Sequence, residues 1–86
     1  MPELPHYESH LSHETVAFVV ALPKRKQRKL LDLADQIARQ PNSIGDYRTS
    51  DSAGRTIEHL LLEGFLFSYW TDHASRELRI TEIVQV

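Results

Sequence analysis

The hydrophobic residues of this 86-residue chain keep two different periods, and the change falls near its middle. From His13 to Leu22 the apolar residues Val16, Val19 and Val20 recur at helical spacing, with Phe18 and Leu22 widening the stripe. Pro23 interrupts that pattern, because it has no N–H to donate and biases Leu22 away from helical geometry. A second helix is expected from about Lys24 to Gln40, where Leu30, Leu33, Ala34 and Ile37 form one face with Leu31 and Ala38 at its margin. The stretch QPNSIGD, Gln40 to Asp46, ends it, so the two helices make an αα-hairpin.

Beyond that point the period is two. Gly54–Gly64 and Phe65–Asp72 are rich in aromatic, β-branched and leucine residues and read as two strands. Between them Glu63-Gly64 is a tight connection in which glycine supplies a positive φ. Arg76–Val86 alternates Leu78, Ile80, Val84 and Val86 against polar residues. Glu82 is the odd member of that apolar face, which calls for a bulge or an edge position. At the front, His6–Ser12 alternates weakly enough to be a short strand, and Ser12 is placed to cap the first helix with Glu14 in its first turn. The first five residues, MPELP, read as a loose end. The expected order is β-α-α-β-β-β, an α+β domain over residues 1–86 with the helical hairpin packed on one face of a mostly antiparallel sheet.

Composition narrows the classes. With no cysteine there is neither a disulfide framework nor a Cys-based zinc site. The longest apolar run, Val16 to Leu22, is far too short for a bilayer, so a soluble cytoplasmic protein without membrane partners is expected. Net charge is −2, yet five of the ten Lys and Arg residues fall in KRKQRK, Lys24 to Lys29. Lys24, Arg25, Lys26, Arg28 and Lys29 would open a helix, where the macrodipole disfavours positive charge. A contact with RNA, DNA or an acidic partner is one reason to keep them there.

Strand geometry sorts the polar residues of the second half. Glu58 and His59 are neighbours and point to opposite faces. Glu58 goes with Thr56 and Leu60, and His59 with Ile57 and Leu61, which reads as the buried side. Asp72-His73-Ala74-Ser75 uses ordinary turn residues, with Asp72 bonded to its own backbone. His73 and Arg76 would then stand at one end of the sheet. Arg55 and Arg79 read as strand arginines of fixed direction, suited to phosphate. Phe65, Phe67 and Tyr69 share a face and are expected in the core, with Trp70 opposite. His6, Glu8, His10 and His13 have the residue types of a metal site, but no metal or other cofactor is expected.

The series from Ser12 to Pro41, SHETVAFVVALPKRKQRKLLDLADQIARQP, resembles the helical hairpin of RelE/ParE-family toxins. Gly54-Arg55, the EGFLFSYW hairpin and the terminal RELRITEIVQV resemble that family's last three strands in order and spacing. The likeness covers roughly residues 6 to 86. It implies the toxin of a bacterial type II toxin–antitoxin (plasmid stabilisation) system, with a cognate antitoxin as partner and the ribosome with its mRNA, or DNA gyrase, as target. In the RNA-cleaving branch the reaction is metal-independent and needs a proton acceptor, a proton donor and a cation at the scissile phosphate. The candidates are Glu58 or His73 for the protons and Arg55 and Arg79 for the phosphate. Lys24 to Lys29 and Arg76 would dock the RNA. Leu66 stands about where such nucleases carry an arginine, and the chain stops at Val86 where they continue, which keeps a gyrase-inhibiting branch or a pure interaction module open. The last strand, ending in IVQV, is expected to be unpaired and open to an antitoxin strand or a second copy.

Overall fold

A computed structural model of the chain describes residues 7–86, so MPELP and His6 lie outside the described residues. Seven elements follow in order: β1 (Glu8–Leu11), α1 (His13–Val20), α2 (Lys24–Ala38), β2 (Tyr47–Ser50), β3 (Thr56–Leu62), β4 (Phe65–Asp72) and β5 (Glu77–Gln85). Among the described residues no helix is long and apolar enough to cross a membrane.

Ser12 starts α1 as its spacing suggests: its Oγ accepts the Thr15 N–H at 3.1 Å, which satisfies one of the donors a helix start leaves bare. The helix stops at Ala21, two residues before Pro23. The carbonyls freed there are taken up from the next helix, because Gln27 Nε2 donates to Val20 O at 3.3 Å and Leu22 O at 2.8 Å. In α2 the apolar face is Leu30, Leu33, Ala34, Ile37 and Ala38, all buried, while Leu31 stays exposed.

The sheet order is β1-β5-β4-β3-β2, with β1 parallel to β5 and every other pair antiparallel. The fold is therefore α+β: two helices on one face of a five-stranded mixed sheet. Both helices lie over β1 and β5. Beneath them Phe65, Phe67, Tyr69, Leu78, Ile80 and Ile83 meet the α2 face in one core. Fully burying a side chain of this size contributes about 1.5–3 kcal/mol, so this single cluster is what holds the hairpin to the sheet.

Four expectations need correction. The sequence reading leaves Tyr47–Ala53 unassigned, whereas Tyr47–Ser50 forms β2, paired with β3 from Tyr47↔His59 to Ser50↔Thr56. Every residue of β2 is exposed, so it lacks the apolar signal that marks a strand. In β5 the apolar phase changes. Ser68 pairs with Glu82 and Tyr69 with Ile80, which leaves Thr81 as an extra residue. Past this bulge Ile83, not Val84, faces the core, and Glu82 is turned out as the sequence oddity there suggests. The helix-facing side of β3 is that of Glu58, Leu60 and Leu62, while His59 and Leu61 lie on the open side, although Ile57 is buried there. The pairing of Leu62 with Phe65 across the hairpin decides this. Finally, β5 is not an unpaired strand: β4 runs along it and β1 covers Glu77–Ile80, so only its last residues keep an open side among the described residues.

Two backbone positions depend on glycine. Glu63 (φ 49°) and Gly64 (φ 84°) both sit at positive φ, the pattern of a two-residue type I′ hairpin turn. Gly45 permits a close approach: a Cβ there would stand 2.7 Å from the His59 carbonyl oxygen and 2.8 Å from its nitrogen. The loop after α2 is thereby pressed against the backbone of β3.

Candidate functional site

That loop makes one wall of a cleft. Because the helices cover β1 and β5, the helix-facing side of β2 and β3 is left to residues 41–46, and a cleft of about 230 Å³ opens between them. Asn42 and Ser43 line it from the loop, Arg48 from β2, Thr56 and Glu58 from β3, and Thr71 and His73 from the end of β4. Glu58 is the most constrained of these. Its carboxylate accepts the Gly45 N–H at 2.8 Å and the Arg48 Nε–H at 3.0 Å, with a second Arg48 contact at 2.9 Å. Its side chain is 14% exposed against 49% for Arg48, so the arginine is the member of the pair that a ligand reaches first.

His73 comes to the cleft through its turn. Asp72 Oδ1 accepts the Ala74 and Ser75 N–H groups at 3.1 and 3.2 Å, and Ser75 Oγ donates to Asp72 Oδ2 at 2.8 Å. The Ser75 hydroxyl and backbone N–H hold the Asp72 carboxyl below the ordinary aspartate range. The turn closes at Arg76, whose φ of 55° is left-handed. His73 then shares a hydrogen bond of 2.8 Å between its Nδ1 and Tyr7 Oη, leaving Nε2 as the nitrogen available to a ligand.

Tyr69 stands opposite Glu58 in the β3–β4 register. Its hydroxyl is buried and has no hydrogen-bond partner among the described residues. Burial raises its pKa, and the Glu58 charge beside it pushes the same way.

The other two sequence candidates lie elsewhere. Arg55 precedes β3 instead of sitting inside a strand, and its Nε donates to Asp51 Oδ2 at 2.7 Å in the β2–β3 turn. The Arg55 N–H and side chain hold the Asp51 carboxyl below its usual range. Arg79 belongs to β5, opposite Trp70, and donates to Glu77 at 2.7 Å. Both guanidinium groups turn to Trp70 on the open face of the sheet, at 4.4 and 5.8 Å from its ring. Of Arg55, Glu58, His73 and Arg79, the fold thus brings Glu58 and His73 to one cleft and Arg55 and Arg79 to the opposite face. His59 is occupied: Thr49 Oγ1 is 2.8 Å from its Nε2, Ser68 Oγ is 2.9 Å from its Nδ1, and Tyr47 stacks on its ring.

Lys24, Arg25, Lys26, Arg28 and Lys29 are exposed at the start of α2. Lys29 pairs with Glu63 at 2.9 Å, and the other four make no ion pair among the described residues. Nine further residues of helix, Leu30 to Ala38, about 14 Å, separate this cluster from the loop of the cleft. Arg76 is exposed at the cleft end. Sequence reasoning misses Arg48 of the cleft and Tyr7, the partner of His73. An exposed Tyr-Arg-Thr-Ser followed by the Asp51–Gly54 turn is the signal that would have marked a strand and its hairpin.

No protein-family model matches the sequence, nor does any curated protein sequence. Solved structures do match. The chain is similar to a chain of the toxin-antitoxin complex RelBE2 from Mycobacterium tuberculosis, with 13% identity and a TM-score of 0.79 over 98% of this chain and 95% of that one. It is likewise similar to a chain of the archaeal RelE-RelB complex from Pyrococcus horikoshii, with 14% identity and a TM-score of 0.70 over 93% of this chain and 94% of that one. With its helical hairpin laid on a β1-β5-β4-β3-β2 sheet, the chain has the fold of RelE toxins.

Proposed function

We propose that this chain is the toxin of a toxin–antitoxin pair, that an antitoxin holds it inactive, and that it stops translation by cutting messenger RNA without a metal. The matched chains come from toxin–antitoxin complexes, and the match runs over nearly the whole of both chains. The observation that carries the RNA-cleaving reading is the cleft shared by Glu58, His73 and Arg48.

In this reading an RNA phosphate enters beside Arg48, the exposed member of the Arg48–Glu58 pair. The guanidinium turns part of its donor set to the phosphate oxygens and stabilises the negative charge that builds there. Glu58, released from full pairing, accepts the proton of the attacking 2′-hydroxyl. His73, with Nδ1 engaged by Tyr7, gives a proton through Nε2 to the departing 5′-oxygen. Bonds balance in this step: a 2′-O–P bond forms, the P–5′-O bond breaks, and one proton is taken up as another is given. Lys24, Arg25, Lys26 and Arg28, at the far end of α2, add a sequence-independent and salt-sensitive contact to the same polyanion.

The test is a purified translation system with a defined message. Addition of the protein should produce new RNA 5′ ends within the message in the presence of chelator, and Glu58→Gln should suppress them. An intact message with translation proceeding at its normal rate would overturn the reading.

A further inference from the structure

The Arg55–Trp70–Arg79 cluster on the open face is left unused by the cleft chemistry. The cavity beside it, about 230 Å³, is lined by His10, Ser12, Arg55, Trp70, Arg79 and Thr81, and no carboxylate lines it. Acidic partners fix the directions of these side chains: Asp51 holds Arg55 through its Nε, and Glu77 holds both Arg79 and His10, the latter at 2.8 Å. Glu8 lies 3.7 Å from the same imidazole. Each guanidinium has five N–H donors and spends few of them on these contacts, so both keep a free edge. Flat cations and an indole ring are the groups on which nucleobases stack, and the remaining N–H donors suit a phosphate. The volume is below the roughly 300–1,000 Å³ of pockets that enclose a whole small molecule, which suits one unit inserted from a longer strand.

Position in the fold adds to this. Arg55 is followed directly by Thr56 and Trp70 by Thr71, and the second member of each pair lines the cleft on the other face. The two sites therefore occupy the same end of the sheet on opposite sides. A flexible single strand can round that end and touch both, whereas a stiff duplex cannot.

We infer that Arg55, Trp70 and Arg79 form a nucleotide-binding subsite for single-stranded RNA, with the base held against the Trp70–Arg55 stack and its phosphate on Arg79 and His10. This rests on the RNA reading above and adds where a nucleotide neighbouring the cleavage point is held.

Trp70 is the chain's single tryptophan, so its emission reports this subsite directly. The probe is an eight-nucleotide 2′-O-methyl oligoadenylate, which the cleft cannot cut, titrated into the whole protein while its binding is followed in parallel by anisotropy. The expected result is saturable quenching of Trp70 that tracks binding and weakens with salt. Arg79→Ala should lose it, and Trp70→Leu should lower affinity about tenfold. A duplex of the same length should quench far less. Circular dichroism confirms that each variant is folded, and Arg79→Ala carries the test if Trp70→Leu is not. Binding without quenching, or equal binding by wild type and Arg79→Ala, would overturn the subsite while leaving an RNA-directed toxin intact, with Lys24, Arg25, Lys26 and Arg28 as the contact. Absence of any RNA binding, together with an uncut message in the translation assay, would overturn both.

Discussion

Glu58 illustrates how much one side chain's direction decides. Adjacent strand residues point to opposite faces, so the register of β3 sends Glu58 to the cleft and His59 to the open side. Arg55 and Arg79, its fellow candidates from the sequence, face the other way. Glu58→Gln keeps the shape and the capacity to accept the Gly45 N–H but removes the proton acceptor. It is expected to lower RNA cleavage about 10²–10⁴-fold, the usual contribution of a general base, with an unchanged urea midpoint within about 1 kcal/mol. Tyr69 makes a different prediction. Its buried hydroxyl lacks a partner among the described residues, and an unsatisfied buried donor costs about 1–3 kcal/mol. Tyr69→Phe should therefore be neutral or stabilising by about 1 kcal/mol in urea unfolding near pH 7. The sign of its pH dependence follows from the raised pKa. Above pH 10.0, the ordinary value, an unfolded chain loses the phenol proton while the folded chain retains it, so stability falls as pH rises. The gap between Tyr69→Phe and wild type should widen in the variant's favour from pH 8 to pH 10.5.

At the scale of elements, the bulge in β5 sets which residues reach the core. Ile83 is 4% exposed and Val84 40%. Ile83→Ala should cost about 2–5 kcal/mol, and Val84→Ala well under half of that, as read from urea midpoints. Equal costs would mean that β5 runs in the unbulged register. The same strand shows what the sequence makes legible. Helices α1 and α2, the Glu63-Gly64 turn and the core aromatics are readable because each has a local cause: period, proline, cap or positive φ. The bulge is half readable, since Glu82 breaks the alternation, but the displaced residue is Thr81 and its effect on Ile83 depends on the β4 register. Strand β2 is not readable from hydrophobicity, because all four of its residues are exposed and it exists through pairing with β3. With β2 unseen, Arg48 is unseen too, and the cleft loses its cation. The two turns behave alike in acid. Asp51 and Asp72 both have depressed pKa values, so their turn hydrogen bonds are complete above the ordinary carboxylate range and are lost as pH falls through the lower folded values. The amide shifts of Ala53, Arg55, Ala74 and Ser75 should therefore titrate together below about pH 4.

For the whole molecule, the distribution of sites is the point of interest. One face of the sheet is closed by helices over β1 and β5, and the remainder of that face, over β2 and β3, becomes a cleft through the loop pinned at Gly45. The opposite face stays open and carries the Arg–Trp–Arg cluster. The basic start of α2 lies at the other end of the long helix. A polyanion that followed all three would wrap the molecule, and so would an antitoxin segment that masked them. Pulse labelling in bacteria after induced expression, comparing methionine with thymidine incorporation for wild type and Glu58→Gln, distinguishes a translation target from DNA synthesis. Methionine incorporation should fall first, and Glu58→Gln should largely restore it. A first fall in thymidine incorporation, or a Glu58→Gln variant as inhibitory as the wild type, would contradict the RNA-cleaving reading.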